Sequence, residues 1–468
     1  MVAKQQQILL LACYELGHQP LSLAWPTAVL REAGFTVTAV DLSVSPFPQQ
    51  AAETAALIAI AVPMHTALRL GVAAARQARQ ANSDAHLCFY GLYAWLNADY
   101  LLAEAADSVI AGEYEAPLLE LAQRLASGEP VEGITAVSTP SRRATPNLAR
   151  LDFPQPDRQT LPGLDQYARY MSNGEAHLAG YVESSRGCLH TCRHCPVVPV
   201  YNGRFFIIPQ ETVLADIRQQ VAAGARHISF GDPDFLNGPG HALNVCRALH
   251  REFPHLTFDF TTKVEHILEK QALFPELAAL GCSFVISAFE SVSNEVLAHL
   301  DKGHSVADME KALAIIAQAG IAIQPTWVAF TPWTSLDDYL DLLTWIRRHE
   351  MIQHVPAVQL AVRLLIPPHS ALLENGHFDR LSAGRAPDWL GVLDAANFTY
   401  TWSHPDPRMD RLHQEVTQLA QSGDGDAYTT FAAIERAAYA LAQRPQPQWE
   451  KPLFPDLPPP RLSEDWFC

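Results

Sequence analysis

The sequence predicts an α/β protein in three parts: an open, doubly wound N-terminal domain, a partial barrel of six βα units, and a helical C-terminal extension. Three observations carry this reading. Short apolar runs alternate with amphipathic stretches from Ile8 to Ala111, the alternation restarts near residue 178, and beyond Ala371 helical periodicity continues without strand-like runs. Strands alternating with helices imply parallel sheets, because a parallel pair needs a long crossover.

In the first part, Ile8 to Cys13, Thr36 to Asp41, Leu57 to Val62, Leu87 to Tyr90 and Ser108 to Ala111 read as strands. Leu21 to Ala33 and Ala67 to Gln80 read as helices, and Gly34 stands where a helix ends in a left-handed residue. The sheet ends near residue 140, and residues 141–177, rich in Pro, Arg and Asp from Ser141 to Arg158, read as a linker. The second part, 178–371, begins with the strand entered at Val182. Helix Glu211–Ala225 follows, with Val213, Ile217 and Val221 on one face. Strands at His227–Phe230, Thr257–Thr261, Ser283–Ser287, Ala322–Ala329 and Val358–Leu365 alternate with helices at Gln271–Leu280 and Asn294–Leu300. Six such units suit a partial TIM-like barrel, whose chemistry sits at the C-terminal strand ends. Helices Pro407–Gln421 and Tyr428–Arg444 make residues 372–444 a helical region, and 445–468 is a Pro-rich tail ending in Cys468.

A chain of 468 residues with 48% apolar content buries two sizeable cores, and length alone suggests two or three domains. The start, Met1 to Gln7 and then Ile8-Leu9-Leu10-Leu11, breaks at Cys13-Tyr14-Glu15 and reads as a strand rather than a signal peptide, so the cytoplasm is expected, with no membrane partner. A formal charge of −17 argues against a nucleic-acid partner, since phosphate binding needs a basic face. Eight cysteines in so long a chain make no disulfide framework, and Cys13, Cys88, Cys246 and Cys282 lie in apolar surroundings as core thiols.

Three others stand apart. In Ser185-Arg186-Gly187-Cys188-Leu189-His190-Thr191-Cys192-Arg193-His194-Cys195-Pro196 the cysteine spacing is three residues, then two, with no fourth cysteine nearby. A closed tetrahedral site suits this poorly, whereas a four-iron cubane with one iron lacking a protein ligand suits it well. The alternative is a zinc knuckle that enlists His190 and His194; otherwise both histidines are ordinary loop residues.

This run resembles the cysteine motif of the radical S-adenosylmethionine (SAM) superfamily. The resemblance implies that Cys188, Cys192 and Cys195 hold a [4Fe-4S] cluster whose unique iron chelates the amino and carboxylate groups of SAM, reduced by a protein such as flavodoxin or ferredoxin. It also implies that the first domain is of the Rossmann-like, cobalamin-binding type that precedes many such barrels. The Asp-x-His-x-x-Gly signature of base-off cobalamin binding is absent, however; after the first strand stands Cys13-Tyr14-Glu15-Leu16-Gly17-His18-Gln19-Pro20.

Further roles follow by position. Phe230-Gly231-Asp232-Pro233-Asp234 stands where the family shows a Gly-Glu motif, making Asp232 and Asp234 candidates for the SAM ammonium, or else members of an Asx turn. Lys263 ends the third strand and either pairs with a carboxylate or is a solvated charge. Ser287-Ala288-Phe289-Glu290-Ser291, with Asp301-Lys302-Gly303-His304 downstream, resembles the family's Glu-Ser turn; Glu290 and Ser291 would contact the ribose or methionyl part of SAM, or simply cap a helix. Phe330-Thr331-Pro332-Trp333 places an aromatic at the cavity mouth. Arg363, in an apolar strand, needs an anion, either the SAM carboxylate or a structural acid.

The last residues, Ser463-Glu464-Asp465-Trp466-Phe467-Cys468, resemble the start of the tail in the radical SAM group whose terminus reads Cys-selenocysteine-Ala-Glu-Pro or Cys-Cys-Ala-Glu-Pro. A UGA selenocysteine codon read as a stop would end the chain at this point. That group is similar to the enzyme forming the carbon–arsenic bond of arsinothricin-type antibiotics, which implies transfer of the 3-amino-3-carboxypropyl group of SAM to arsenite, with Cys468 presented to the acceptor. The competing expectations are a cobalamin-dependent methylase or cyclase and, from another class, an iron–sulfur or zinc protein that senses or scaffolds.

Overall fold

The run Gln7–Ala12 (β1) is a strand buried on both faces, which is why it reads as unbroken Ile and Leu rather than alternating with polar residues. The computed structural model describes residues 7–373, 387–423, 426–452 and 457–464. Around β1 lie Thr36–Asp41 (β2), Leu57–Ala61 (β3), His86–Tyr90 (β4), Ser108–Ile110 (β5) and Val137–Ser138 (β6), in the order β2-β1-β3-β4-β5-β6. β1 to β5 are parallel, and β6 is added antiparallel to β5. Helices cover both faces, giving the two apolar clusters of a doubly wound sheet. The four cysteines expected in apolar surroundings are buried, Cys13 and Cys88 in this domain and Cys246 and Cys282 in the barrel.

The second sheet begins earlier than the composition of 141–177 implies. Arg169–Ser172 (β7) turns at Asn173-Gly174 into Glu175–Val182 (β8), and both left-handed turn residues suit an Asn-Gly hairpin. His227–Phe230 (β11), Thr257–Thr262 (β12), Cys282–Glu290 (β13) and Ala322–Trp327 (β14) add to β8 in parallel, after the short strands Ser185–Gly187 (β9) and Phe205–Ile207 (β10) that pair only with each other. Helices Val306–Gln318 and Leu336–Arg348 each begin at a Ser-x-x-Asp capping box, Ser305/Asp308 and Ser335/Asp338, a start signal present in the sequence.

The sixth barrel strand expected at Val358–Leu365 does not form. A turn of 3-10 helix occupies Ala357–Ala361, and a single bridge joins Arg363 to Phe330. The reason is local: the Trp327 backbone N–H, which a sixth strand would take, donates instead to Gln359 Oε1 at 2.8 Å. The open side is narrowed from elsewhere. Arg461–Leu462 (β17) pairs antiparallel with β7 and so runs in the direction of the barrel strands, while Gln324 of β14 donates to Pro460 O at 3.2 Å. Leu462 packs against Tyr170, Phe284 and Ile286. The rings of Tyr170, His227 and Phe284 stack there, at 3.9 and 5.7 Å between centroids, and His227 Nε2 meets Asp259 Oδ1 at 2.8 Å. This filled floor leaves the opening at the C-terminal strand ends.

Residues 372–444 are not wholly helical. Leu390–Asp394 (β15) and Thr399–Trp402 (β16) form a hairpin, which carries Phe398 at φ 58° into the core of the N-terminal domain. There Phe398 is 2% exposed and meets Tyr100 edge-on at 5.0 Å, while Asn397 O bonds His65 Nε2 at 2.8 Å. Helices Pro407–Ser422 and Ala427–Leu441 follow as expected. They bury Met409, Leu412, Val416, Phe431 and Ile434 in the barrel's own core, each burial stabilising by about 1.5–3 kcal/mol, so they belong to the barrel rather than to a separate unit. That core also takes in Leu21, Ala24 and Trp25 of the first domain. Among the described residues no helix is long and apolar enough to cross a membrane.

Phe398→Ala is expected to lower unfolding stability by about 3–5 kcal/mol, because it empties a filled site between hairpin and first domain. Chemical denaturation checks this; a loss within about 0.5 kcal/mol, typical of surface positions, contradicts the packing.

Candidate active site

β9 ends at Gly187, whose φ of 76° and close approach to Arg204 O, 2.4 Å from where a Cβ would sit, exclude other residues. Beyond it the chain opens into the loop that carries the cysteines and returns through the short helix Val197–Tyr201 to β10. The loop is pinned at intervals. Cys188 N donates to Arg204 O at 3.0 Å, Leu189 N to Asn237 Oδ1 at 3.3 Å, Arg193 N to Leu300 O at 3.0 Å and Cys195 N to Cys192 O at 3.1 Å. Cys188, Cys192 and Cys195 form no disulfide and lie within electrostatic reach of one another. Burial, reinforced by neighbouring thiol charges, pushes Cys188 up to about 11 and Cys195 up to about 12. Without a cation these thiols keep their protons, so metal loading releases them.

The strand ends of the barrel surround this loop. Glu290, at the end of β13, holds φ at 66°, unusual for a residue with a Cβ, and accepts from Lys302 Nζ at 3.0 Å and His194 Nε2 at 3.2 Å. Burial alone would raise its carboxyl, but the Lys302 ammonium and then His194 outweigh it and hold the group well below the usual carboxylate range. Burial pulls Lys302 down, while Glu290 and then Cys192 raise it further. The ammonium therefore stays charged beside the thiols. Ser291 is buried, and its hydroxyl accepts from Ser293 N at 3.1 Å in the turn before helix Asn294–Leu300, whose N-cap is Ser293, so Ser291 is not the helix cap that the sequence also allowed.

Asp232 and Asp234 are engaged within the protein rather than turned toward a ligand. Asp232 accepts from Ser184 N at 2.9 Å, Ser184 Oγ at 2.7 Å and Ser185 Oγ at 2.5 Å, fixing the entrance to β9. Asp234 accepts from Leu236 N, Thr262 Oγ1, Lys263 N and His266 Nδ1 at 2.9–3.2 Å, and His190 Nε2 lies 3.3 Å away. The ligand atoms of His190, Asp234 and His266 converge within 4.8 Å, with the carboxylate as hydrogen-bond hub. Lys263 pairs with Glu265 and sits 3.2 Å from His190 Nδ1, so the expected carboxylate partner is present and the lysine also touches the cysteine loop. His190 and His194 are thus more than ordinary loop residues. Each ties the loop to a barrel acid, His194 through a hydrogen bond to Glu290 and His190 through its 3.3 Å ion pair with Asp234, although His190 Nε2 makes no hydrogen bond.

Arg363 is a correction. It meets Asp410 Oδ1 at 2.8 Å and Trp402 O at 2.9 Å and lies 3.5 Å over the Trp402 ring, so a structural acid satisfies it and it is no ligand for the SAM carboxylate. Trp333 stacks on His299 at 4.3 Å near the loop's Leu300 tie. Cys468 lies outside the described residues. Lys302 is the residue that sequence reasoning underused; its signal was the Lys-Gly-His run, quoted for resemblance alone.

Residues 182–343 match the family described as the Radical SAM superfamily. The barrel is a radical SAM domain. Among curated relatives, tRNA-2-methylthio-N(6)-dimethylallyladenosine synthase of Desulfosudis oleivorans is 30% identical over 190 residues, covering 36% of this chain and 38% of that protein. The ribosomal protein uS12 methylthiotransferase RimO of Cereibacter sphaeroides is 25% identical over 176 residues, covering 36% and 38%. The chain thus spans well under half the length of the curated relatives it matches. Over 94% of the chain the fold is that of radical SAM methyltransferase TsrM from Kitasatospora setae, solved with tryptophan and a SAM analogue (TM-score 0.69, 14% identity, 95% of that chain). The cobalamin-dependent radical SAM enzyme OxsB is similar, with TM-score 0.70, 14% identity and coverage of 94% of this chain and 72% of that one.

The loop fits the [4Fe-4S] cluster that such a domain implies: three unpaired, mutually close thiols on one segment, with the Lys302 ammonium nearby to offset added negative charge. His18, the histidine that follows β1 in the first domain, is not presented to a ligand. His18 is buried and stacked on Tyr181 at 4.1 Å between centroids, and burial pulls it down to about 3.

Asp232 yields a pH test. Burial raises its carboxyl to about 6, against the hydrogen bonds that lower it, whereas the ordinary value is about 3.9. Between these values the folded chain holds a proton that the unfolded chain has released, so this group's contribution to stability is greatest at acid pH and shrinks as pH rises to about 6. In Asp232→Asn that slope disappears. The Tm of metal-free variant minus that of wild type is expected to shift in the variant's favour from about pH 4 to 6 and then level off; a pH-independent difference contradicts the assignment.

Proposed function

We propose that this chain is a radical SAM enzyme that holds its cluster through Cys188, Cys192 and Cys195 and cleaves SAM reductively. The observation that carries the reading is the convergence of three unpaired thiols at the open end of the barrel, beside the buried Lys302–Glu290 pair. When bound, the cluster and SAM supply one-electron cleavage of a sulfur–carbon bond. The chain's own part is to orient and to exclude. Asp234 and Glu290 fix the loop through His190 and His194, Asp232 fixes its entrance, and the filled floor at Tyr170, His227 and Phe284 closes the barrel behind the site. A small reductant protein of the flavodoxin or ferredoxin kind would feed electrons to the loop.

Single replacement of Cys188, Cys192 or Cys195 by alanine is expected to abolish SAM cleavage and to lower iron after oxygen-free reconstitution. Zinc-loaded wild type inert toward SAM would overturn the reading.

The finer reading is transfer of the 3-amino-3-carboxypropyl group to trivalent arsenic. Its support is the likeness of the terminal residues to the tail of the arsenic group, the affinity of soft thiolates for a soft acceptor, and the direction of β17, which runs with the barrel strands toward their open ends. Turnover with arsenite should then release methylthioadenosine rather than 5′-deoxyadenosine and fall on removal of residues 465–468. Release of 5′-deoxyadenosine alone, or equal turnover without the tail, discards it. A cobalamin-dependent methylase is the second reading, favoured by the fold shared with TsrM and OxsB and opposed by the stacked His18. Stoichiometric cobalamin in anaerobically purified protein would revive it.

A further inference from the structure

The cysteine loop is gripped from outside the barrel as well. Arg186, two residues before Cys188, donates from Nη1 to Glu113 Oε2 at 2.8 Å and to Glu115 Oε1 at 2.6 Å, and its Nε meets Glu183 Oε2 at 3.1 Å. Tyr201, six residues after Cys195, donates its hydroxyl to Glu113 Oε1 at 2.7 Å. Glu113 and Glu115 follow β5 at the C-terminal edge of the first sheet, so both flanks of the loop meet on one carboxylate of the other domain. Arg186, Glu113, Glu115 and Tyr201 are buried, with side chains 7% exposed at Arg186, 1% at Glu113 and 2% at Glu115, while Glu183 is half-buried. The guanidinium lies over Trp25, Tyr114 and Phe153 at 5.1, 5.5 and 5.2 Å. Gly187 is backed against Tyr201, whose Cδ1 lies 2.6 Å from where a Cβ would be. Leu92 and Trp95, just beyond β4, pack with Val197, Val200, Cys188 and Cys195.

A buried ion-pair set is weak evidence for stability, because desolvation offsets much of its attraction. What a planar guanidinium with several fixed acceptors supplies is orientation. The carboxyl end of an open α/β sheet is also where such domains bind ligands. Here that edge is spent on the loop at β5, and Phe398 fills the core beside β3 and β4.

We propose that Glu113 is a positioning residue through which the N-terminal domain, by way of Arg186 and Tyr201, sets the geometry of the three cysteines. The inference rests on the cluster reading above.

The test uses the full chain with Glu113→Gln and Arg186→Lys, and Arg158→Lys as control, since Arg158 ties the interdomain linker to Asp216 without touching the loop. In metal-free protein, amide exchange across residues 186–204 should quicken in the first two variants and stay at the wild-type rate in the control. After reconstitution the first two should show altered electron paramagnetic resonance of the reduced cluster and about 10- to 100-fold slower SAM cleavage, the usual scale for a residue behind a metal ligand. Wild-type exchange and an unchanged spectrum in both variants overturn the proposal. If Glu113→Gln does not fold, Tyr201→Phe, which deletes one hydroxyl, decides by the same readouts. Wild type that takes up no iron refutes the cluster reading instead, while the metal-free exchange still reports whether the grip exists.

Discussion

A segment that brings three thiols to one point cannot hold itself, because its backbone has few ladder bonds to make. Most of its anchors are therefore borrowed. The barrel supplies Asp232 at the entrance, Asn237 beneath Leu189, Leu300 O behind Arg193, Asp234 behind His190 and Glu290 behind His194. Each lies at or beyond the C-terminal end of a strand or in the turn that follows. The arrangement explains why acids expected to face a ligand face inward instead: their charge is used on the serines and histidines that keep the loop in place, and burial in a low-dielectric site strengthens those contacts.

The charges around the thiols are balanced locally. Lys302 is fully inside the protein and would be unfavourable there alone, but Glu290 stands 3.0 Å away and the thiols lie within electrostatic reach. A cation that remains charged next to a site designed to collect anionic sulfur limits the net charge change as the site is loaded. The same logic applies to Arg363, except that its charge is met by Asp410 and the Trp402 ring. The buried Lys302 and the half-buried Arg363 thus serve different ends, and only their three-dimensional neighbours distinguish them.

Much of the fold was legible because its signals are local. Alternating runs located the five parallel strands of the first sheet, though not β6, and four of the six expected in the barrel, whereas the strand expected to begin at Val182 ends there; the spacing of Cys188, Cys192 and Cys195 located the loop. The sixth strand failed because one side chain, Gln359, takes the N–H that would have paired it, and no composition rule reports that. The early start of the barrel at Arg169 was hidden by a Pro- and Arg-rich approach, although Asn173-Gly174 was a readable hairpin turn. The hairpin carrying Phe398 lay in a stretch whose apolar residues pack on another domain, so its period could not be read against its own neighbours. Glu113 gave no signal at all; its partner is 73 positions away.

The late strand β17 has a consequence for how the protein is made. Synthesis delivers the first sheet and then the parallel strands in order, and domains fold largely as they emerge. The free edge of β7, however, finds its partner only when Arg461 and Leu462 arrive, nearly three hundred residues after it. Until then the nascent protein carries an unpaired strand rim beside a hydrophobic interior, the kind of surface that invites pairing with the wrong chain. Its vulnerable interval therefore lasts until residue 462 has been made, and a chaperone that shields that rim would matter most until then.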